Sequence, residues 1–171
     1  MIKGIVCVAK DWGIGKANGL LFNLPADMKY FRETTKHNVV VMGYSTYLSL
    51  PKRPLPNRIN VVLWDKATSL DCIPGCITFN DFKAMLNFIQ ILNREYDIYI
   101  CGGQSIYRLF LPYYDEILVT HVDAIDPEAT AFFPNLDEEK SYYIDSILGG
   151  GIDNNLNYEF RVYKRIPKGD N

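Results

Sequence analysis

Five short runs of apolar, largely β-branched residues recur along the chain: Ile2 to Ala9, Val39 to Met42, Ile59 to Leu63, Ile98 to Cys101 and Ile117 to Val122. None alternates strictly with polar residues, so each reads as a strand covered on both faces, as the strands of a parallel sheet are. Helical patterns fill the intervals. Pro25 to Thr35 opens with proline at a first helical position, where its missing N–H costs nothing, and sets Asp27 and Phe31 four apart on one face. In Asp81 to Asn93 the aspartate can cap the helix, and Phe82, Met85, Leu86, Ile89 and Leu92 form an apolar stripe. A third, short helix is expected to start near Gly103 and stop before Pro112. This alternation predicts an α/β fold with a central, mostly parallel sheet and helices on both faces. After Pro134 the pattern changes. Tyr142 to Ile147 and Tyr158 to Tyr163 read as two further strands, joined through Gly149-Gly150-Gly151 and the polar tip Asp153-Asn154-Asn155, which add an antiparallel edge.

At 171 residues, with 48% apolar and 22% charged, the chain is expected to fold as one domain spanning its whole length. Eighteen basic against twenty acidic residues leave a formal charge of −2, which supplies no broad positive field for nucleic acid or an anionic membrane. An anionic ligand must then be held by a local cluster. Cys7, Cys72, Cys76 and Cys101 include no C-x-x-C pair and no partner His at zinc-finger spacing, so they read as reduced thiols with no metal. The N-terminus reaches Lys10-Asp11 before a signal-peptide core develops, and no run approaches the ~18 apolar residues of a membrane span. A cytoplasmic location is expected.

Five constellations can carry chemistry. Cys101-Gly102-Gly103-Gln104-Ser105-Ile106 follows a strand and opens a helix, which either cradles an anion or merely eases strand–helix packing. Gly43-Tyr44-Ser45-Thr46 ends another strand in the same way, and two such turns can flank one pyrophosphate at the carboxyl ends of a parallel sheet. Asp27, among Leu24, Pro25, Ala26, Met28 and Phe31, is either a solvent-facing first-turn acid or a carboxyl whose proton affinity burial raises to suit ligand protonation. Lys52, Arg53 and Arg58 lie within the eight residues from Pro51 to Arg58, stiffened by three prolines, a solvated basic loop or a carboxylate clamp. Finally, residues 10–24 make a long, glycine-bearing connection. Loops of that length in compact domains are usually lids or binding loops, and Leu20, Leu21 and Phe22 favour the lid.

Taken in order, these pieces resemble the dihydrofolate reductase family. The resemblance rests on Gly13-Ile14-Gly15, Asn18-Gly19, Asn23-Leu24-Pro25-Ala26-Asp27 and Phe31. It continues through Val40-Val41-Met42-Gly43, Arg53-Pro54-Leu55-Pro56-Asn57-Arg58, Asn60-Val61-Val62-Leu63, Gly102-Gly103 with Ile106-Tyr107, Thr120-His121-Val122-Asp123-Ala124 and Phe132-Phe133-Pro134. It spans nearly the whole chain, and aspartate at 27 is similar to bacterial members. The resemblance implies an eight-stranded sheet, NADPH as hydride donor and 7,8-dihydrofolate as acceptor. Asp27 would bond the pterin 2-amino group and N3 and support protonation at N5. Thr120 would bond the pterin or Asp27, and Ile5, Val6, Met28, Phe31, Leu50 and Leu55 would wall the folate. Arg58, with Arg32 beside it, would clamp the glutamate carboxylate. Cys101 and Tyr107 would border the nicotinamide, with Cys7, Asn18 and Gly19 along the carboxamide and ribose. Ile14 to Leu20 would form the mobile lid. Gly43, Tyr44, Ser45, Thr46, Gly102, Gly103, Gln104, Ser105 and Ile106 would hold the cofactor phosphates, with Leu63, Trp64 and Asp65 at the adenosine end. Small antifolates are implied as inhibitors, and a monomer as the working state.

Three departures alter these expectations. Phe22 stands where the family has a tryptophan whose indole N–H helps hold a water, a bond phenylalanine cannot donate. Tyr44, Trp64 and Asp65 replace a basic residue and hydroxyls that greet the 2′-phosphate, so the aromatic pair is expected to sandwich adenine and the preference for NADPH over NADH to weaken. Ala129 replaces an acid before Thr130, which is expected to loosen the lid. The competing readings are another pteridine or pyrimidine reductase of the same fold, and a folate- or nucleotide-binding module without turnover. The combination of Asp27, Phe31 and Arg58 disfavours the first, and Asp27 with both glycine turns disfavours the second.

Overall fold

A computed structural model describes residues 1–17, 19–68 and 70–169. The elements run β1 (Ile2–Val8), β2 (Gly13–Gly15), α1 (Pro25–Thr35), β3 (Val39–Gly43), α2 (Tyr44–Ser49), β4 (Ile59–Leu63), β5 (Cys76–Phe79), α3 (Phe82–Leu92), β6 (Ile98–Ile100), α4 (Gln104–Leu109), β7 (Glu116–Val122), β8 (Ala131–Phe132), β9 (Tyr142–Asp153) and β10 (Leu156–Arg165). Eight strands form one sheet in the order β5-β4-β3-β6-β1-β7-β10-β9, and β2 pairs with β8 in a separate two-stranded ribbon. The sheet is parallel from β5 to β7 and antiparallel at β7–β10 and β10–β9.

The uninterrupted apolar runs arise because both faces of the sheet are covered. Along β3, Val39 and Val41 enter one core cluster while Val40 and Met42 enter the other, and all four are fully buried. The first cluster takes Met85, Leu86 and Ile89 from α3 and Ile106, Tyr107 and Phe110 from α4. The second takes Tyr47 from α2, with Phe31 of α1, Leu50 and Leu55 packed against it. Asp81 caps α3 as its sequence suggests, its carboxylate accepting from the Ala84 N–H at 2.9 Å.

The C-terminal hairpin turns at the expected polar tip, where Asn154 and Asn155 are both at positive φ, but β9 is longer than expected and runs through the three glycines to Asp153. Gly150 serves close approach instead: a Cβ there would collide with the Tyr158 carbonyl on β10. Three short strands escape the sequence patterns. β5 has four residues of mixed polarity, and β2 and β8 have three and two, too few to show a period. All four cysteines are free thiols. Among the described residues no helix is long and apolar enough to cross a membrane.

Met85→Ala, which empties a fully buried position on α3, is expected to cost about 2–5 kcal/mol in urea unfolding. Ile91→Ala on the exposed side of the same helix should stay within about 0.5 kcal/mol.

Candidate active site

Asp27 reaches its place by three separate constraints. Proline at position 25 presets the first turn of α1, yet Leu24 offers no side-chain cap. The cap comes from 127 residues away: the Asp153 carboxylate accepts from the Ala26 N–H at 2.8 Å, and Asn154 donates to the Asn23 carbonyl at 2.8 Å. The β9–β10 tip thus fixes where the helix enters the sheet. Sequence carries no local signal for this, because the partners meet only once the hairpin folds back.

On the sheet, Cys7 of β1 is in register with Thr120 of β7. The buried Thr120 hydroxyl donates to the Asp27 carboxylate at 2.6 Å. Burial pushes the Asp27 carboxyl above the ordinary aspartate range, and hydrogen bonds from Thr120 and Cys7 offset part of that rise. The same burial, reinforced by the Asp27 charge, holds the Cys7 thiol protonated. Asp27 and Cys7 open into a cleft of about 350 Å³, within the roughly 300–1,000 Å³ range of small-molecule sites. Ile14, Leu20, Leu21, Phe22 and Met28 supply most of its apolar lining, and among the described residues Asp27 is the only carboxylate in the lining.

Along the second core cluster, Ile5, Phe31, Leu50, Leu55 and Cys101 gather on the side of the sheet that α1 covers. Val6 does not join them. Strand alternation turns its side chain into the first cluster, beside Val8 and Trp12, so only its backbone can face the cleft. Arg58 is pinned at the far end. Its Nε donates to the Pro56 carbonyl at 2.9 Å, its Nη1 donates to the Thr35 hydroxyl at 3.1 Å, and its guanidinium lies 5.9 Å from the Phe31 ring centre. Thr35, which sequence reasoning missed, is fully buried and also donates to the Phe31 carbonyl at 2.8 Å. Arg32 lies exposed one residue beyond Phe31 and repels Arg58 electrostatically.

The two glycine turns meet. The Gly43 N–H donates to the Gly102 carbonyl at 2.9 Å, and Gly103 lies so near Thr46 that an added Cβ would come 3.3 Å from its hydroxyl. Gly102 sits at φ +119°, a conformation side chains avoid, with the Tyr107 ring 3.3 Å from where its Cβ would be. Tyr107 is buried, and its hydroxyl donates to the Ile5 carbonyl at 2.8 Å, tying α4 to β1. Burial drives the Cys101 thiol up to about 12. Ile106 packs against Gly43, whose missing side chain admits it. Ser45 and Ser105 are exposed and Thr46 is half-buried, whereas the Gln104 side chain is engaged, accepting from the Phe132 N–H at 2.7 Å.

Tyr44 and Trp64 do not sandwich a base. Their rings stack directly on each other, centres 4.2 Å apart and planes 18° apart, which leaves no gap for adenine. Nor is the lid loosened at Ala129. The Thr130 N–H donates to the Gly15 carbonyl at 2.9 Å, β2 pairs with β8, and Lys16 reaches Asp126 at 2.9 Å. Gly19 closes onto Lys16 through paired backbone bonds, Leu20 is exposed, and Asn18 lies outside the described residues.

The fold and site define a class: an α/β protein whose cleft opens at the carboxyl ends of parallel strands, with a half-buried carboxylate facing it and two glycine turns beside it. The family model described as dihydrofolate reductase matches residues 1–165. The dihydrofolate reductase of Bacillus subtilis is 31% identical over 166 residues, covering 96% of this chain and 95% of that protein. That of Aedes albopictus is 29% identical over 185 residues, covering 96% and 97%. Among solved structures, dihydrofolate reductase from Enterococcus faecalis, complexed with NADP(H) and RAB-propyl, superposes with a TM-score of 0.83 at 26% identity over 96% of both chains. The chain belongs to the dihydrofolate reductase family.

Because folding raises the Asp27 proton affinity, the ionised carboxylate destabilises the folded state above its pKa, and the penalty fades as pH falls and both states take up the proton. Asp27→Asn is therefore expected to raise the melting temperature of the ligand-free protein at pH 8 and to lose that gain below pH 4. Circular-dichroism melts across pH check this.

Proposed function

We propose that this chain, acting as one domain and as a monomer in the cytoplasm, reduces 7,8-dihydrofolate to 5,6,7,8-tetrahydrofolate with NADPH. The observation that carries the reading is the Asp27 carboxyl, half-buried at the cleft and bonded to Thr120 at 2.6 Å. Its partners are small molecules, the substrate and antifolates that imitate it, and neither nucleic acid nor membrane. Bound NADPH supplies the hydride.

Asp27 holds the pterin through its 2-amino group and N3, acceptor to two donors, and its raised proton affinity suits it to support proton delivery to N5. Protonation at N5 leaves C6 electron-poor and ready for hydride. Thr120 keeps the carboxylate aimed. Phe22 fills the lid side of the cleft without offering a donor, so the proton's route depends on Asp27, with Cys7 beside it in the lining and Thr120 bonded to its carboxylate. Ile5, Met28, Phe31, Leu50 and Leu55 form the apolar walls, which keep the carboxyl's influence strong by excluding water. Arg58, held by Pro56 and Thr35 before any ligand arrives, forks onto the α-carboxylate of the glutamate tail, with Arg32 adding positive charge.

The residues toward NADPH fit the dinucleotide at its centre. Gly43, Gly102 and Gly103 leave a cradle that side chains would fill, flanked by Ser45, Thr46, Gln104, Ser105 and Ile106. Cys7, Cys101 and Tyr107 border the nicotinamide, and Ile14, Gly19 and Leu20 cover it from the lid. Leu63, Trp64, Asp65 and Tyr44 lie at the adenosine end.

Dihydrofolate-dependent loss of NADPH absorbance is the direct test, and tight folate binding without turnover would point to a binding module. Asp27→Asn is expected to lower kcat by about 10²–10⁴-fold at neutral pH and to recover partly as pH falls and the substrate arrives protonated. Arg58→Ala should raise KM for dihydrofolate by tenfold or more with kcat little changed. A dihydropterin lacking the glutamate tail should show no such effect, which separates tail clamping from general damage to the cleft.

A further inference from the structure

The order of strands sets the direction of a bound dinucleotide, given the reading above. Cys7 and Thr120, the residues nearest Asp27, belong to β1 and β7, whereas the two glycine turns follow β6 and β3. In the sheet these strands run β4-β3-β6-β1-β7, all parallel, so their carboxyl ends form one rim. A dinucleotide with its nicotinamide beside Cys7 and its pyrophosphate between the turns must carry its adenosine onward to the end of β4. From β1 to β4 is three strand spacings, about 14 Å.

What waits there is specific to this chain. Gly43 and Leu63 are in register at the ends of β3 and β4, so the residues that follow them, Tyr44 and Trp64, emerge side by side and stack. The Trp64 position is held by its backbone, whose N–H donates to the Phe79 carbonyl at 2.8 Å. Both side chains are half-buried, so the stacked pair presents aromatic area on which a base can lie, though nothing can enter between the rings. Asp65 follows, exposed.

The charge of this rim decides what it reads. Residues 43–46, 63–67 and 102–106 contain one cation, Lys66, and one anion, Asp65, and no arginine. A phosphate on the ribose is best gripped by the planar fork of an arginine, whereas a carboxylate at a strand end accepts a hydrogen bond from a free ribose hydroxyl and repels a phosphate. The exposed Lys66 ammonium is a solvated point charge, and exposed ion pairs are weak. We infer that the stacked Tyr44–Trp64 pair and Asp65 recognise adenosine by its base and free ribose hydroxyls, so that the protein binds NADH about as tightly as NADPH.

Binding is measured apart from turnover, by titration calorimetry and by quenching of tryptophan fluorescence, with NADPH, NADH, adenosine 2′,5′-bisphosphate and 5′-AMP as probes. Dissociation constants within tenfold of each other, for the dinucleotides and for the two fragments alike, are expected, with a ratio insensitive to salt. Trp64→Leu should weaken all four probes about tenfold and remove the quenching, since the other tryptophan, Trp12, is buried elsewhere in the core. Tyr44→Arg with Asp65→Ser, both at the rim, should shift preference toward NADPH by more than tenfold. A wild-type preference for NADPH above tenfold, with dihydrofolate turnover intact, overturns this inference and leaves the proposed reaction standing. Failure of both dinucleotides to bind, with no dihydrofolate-dependent oxidation, overturns both.

Discussion

A carboxyl group buried against one hydroxyl and one thiol is the constraint around which the rest is arranged. Asp27 can be held there only because α1 enters the sheet at a fixed angle and because β1 and β7 lie in parallel register, Cys7 opposite Thr120. Shifting either strand by one residue would turn that strand's donor to the opposite face. Desolvation makes the ionised acid costly in the empty protein, and that cost is the source of its raised proton affinity. A site built this way stores destabilisation where a ligand with matching donors would relieve it.

Both ends of the cleft are prepared in advance by contacts outside it. Arg58 is held by a backbone carbonyl and the buried Thr35 hydroxyl, so little of its rotational freedom remains to be lost on binding a carboxylate. At the other end, the β2–β8 ribbon and Lys16 with Asp126 tie the lid to the segment preceding β9, and Gln104 of α4 anchors that segment at Phe132. The hydrogen bond from Lys16, helped by the Glu128 N–H, holds the Asp126 carboxyl below its usual range. Lid position and the adjoining loop therefore move together.

The framework itself was largely legible. Runs such as Val39-Val40-Val41-Met42 show a strand buried on both faces, and the stripe from Phe82 to Leu92 shows a helix with one covered side. Asp27 stood out as an acid in an apolar stretch, and the glycines at 43, 102 and 103 marked two close approaches that the sheet then brought into contact. Val6 misled because a resemblance transfers positions, whereas the pleat decides which side chain a position presents. Thr35 and Asp153 left no trace, since neither type of residue is unusual where it stands and their partners are far away in sequence.

Local pattern, then, determined the element types, the parallel core and the residue kinds available for chemistry, because periodicity and backbone preference act between near neighbours. Tertiary structure alone decided that Asp153 caps α1, that Thr120 and Cys7 converge on Asp27, and that Tyr44 stacks on Trp64 and leaves no room for a base between them. Those outcomes depend on sheet order and register, which are set by the packing of the whole chain at once and are encoded in no single segment.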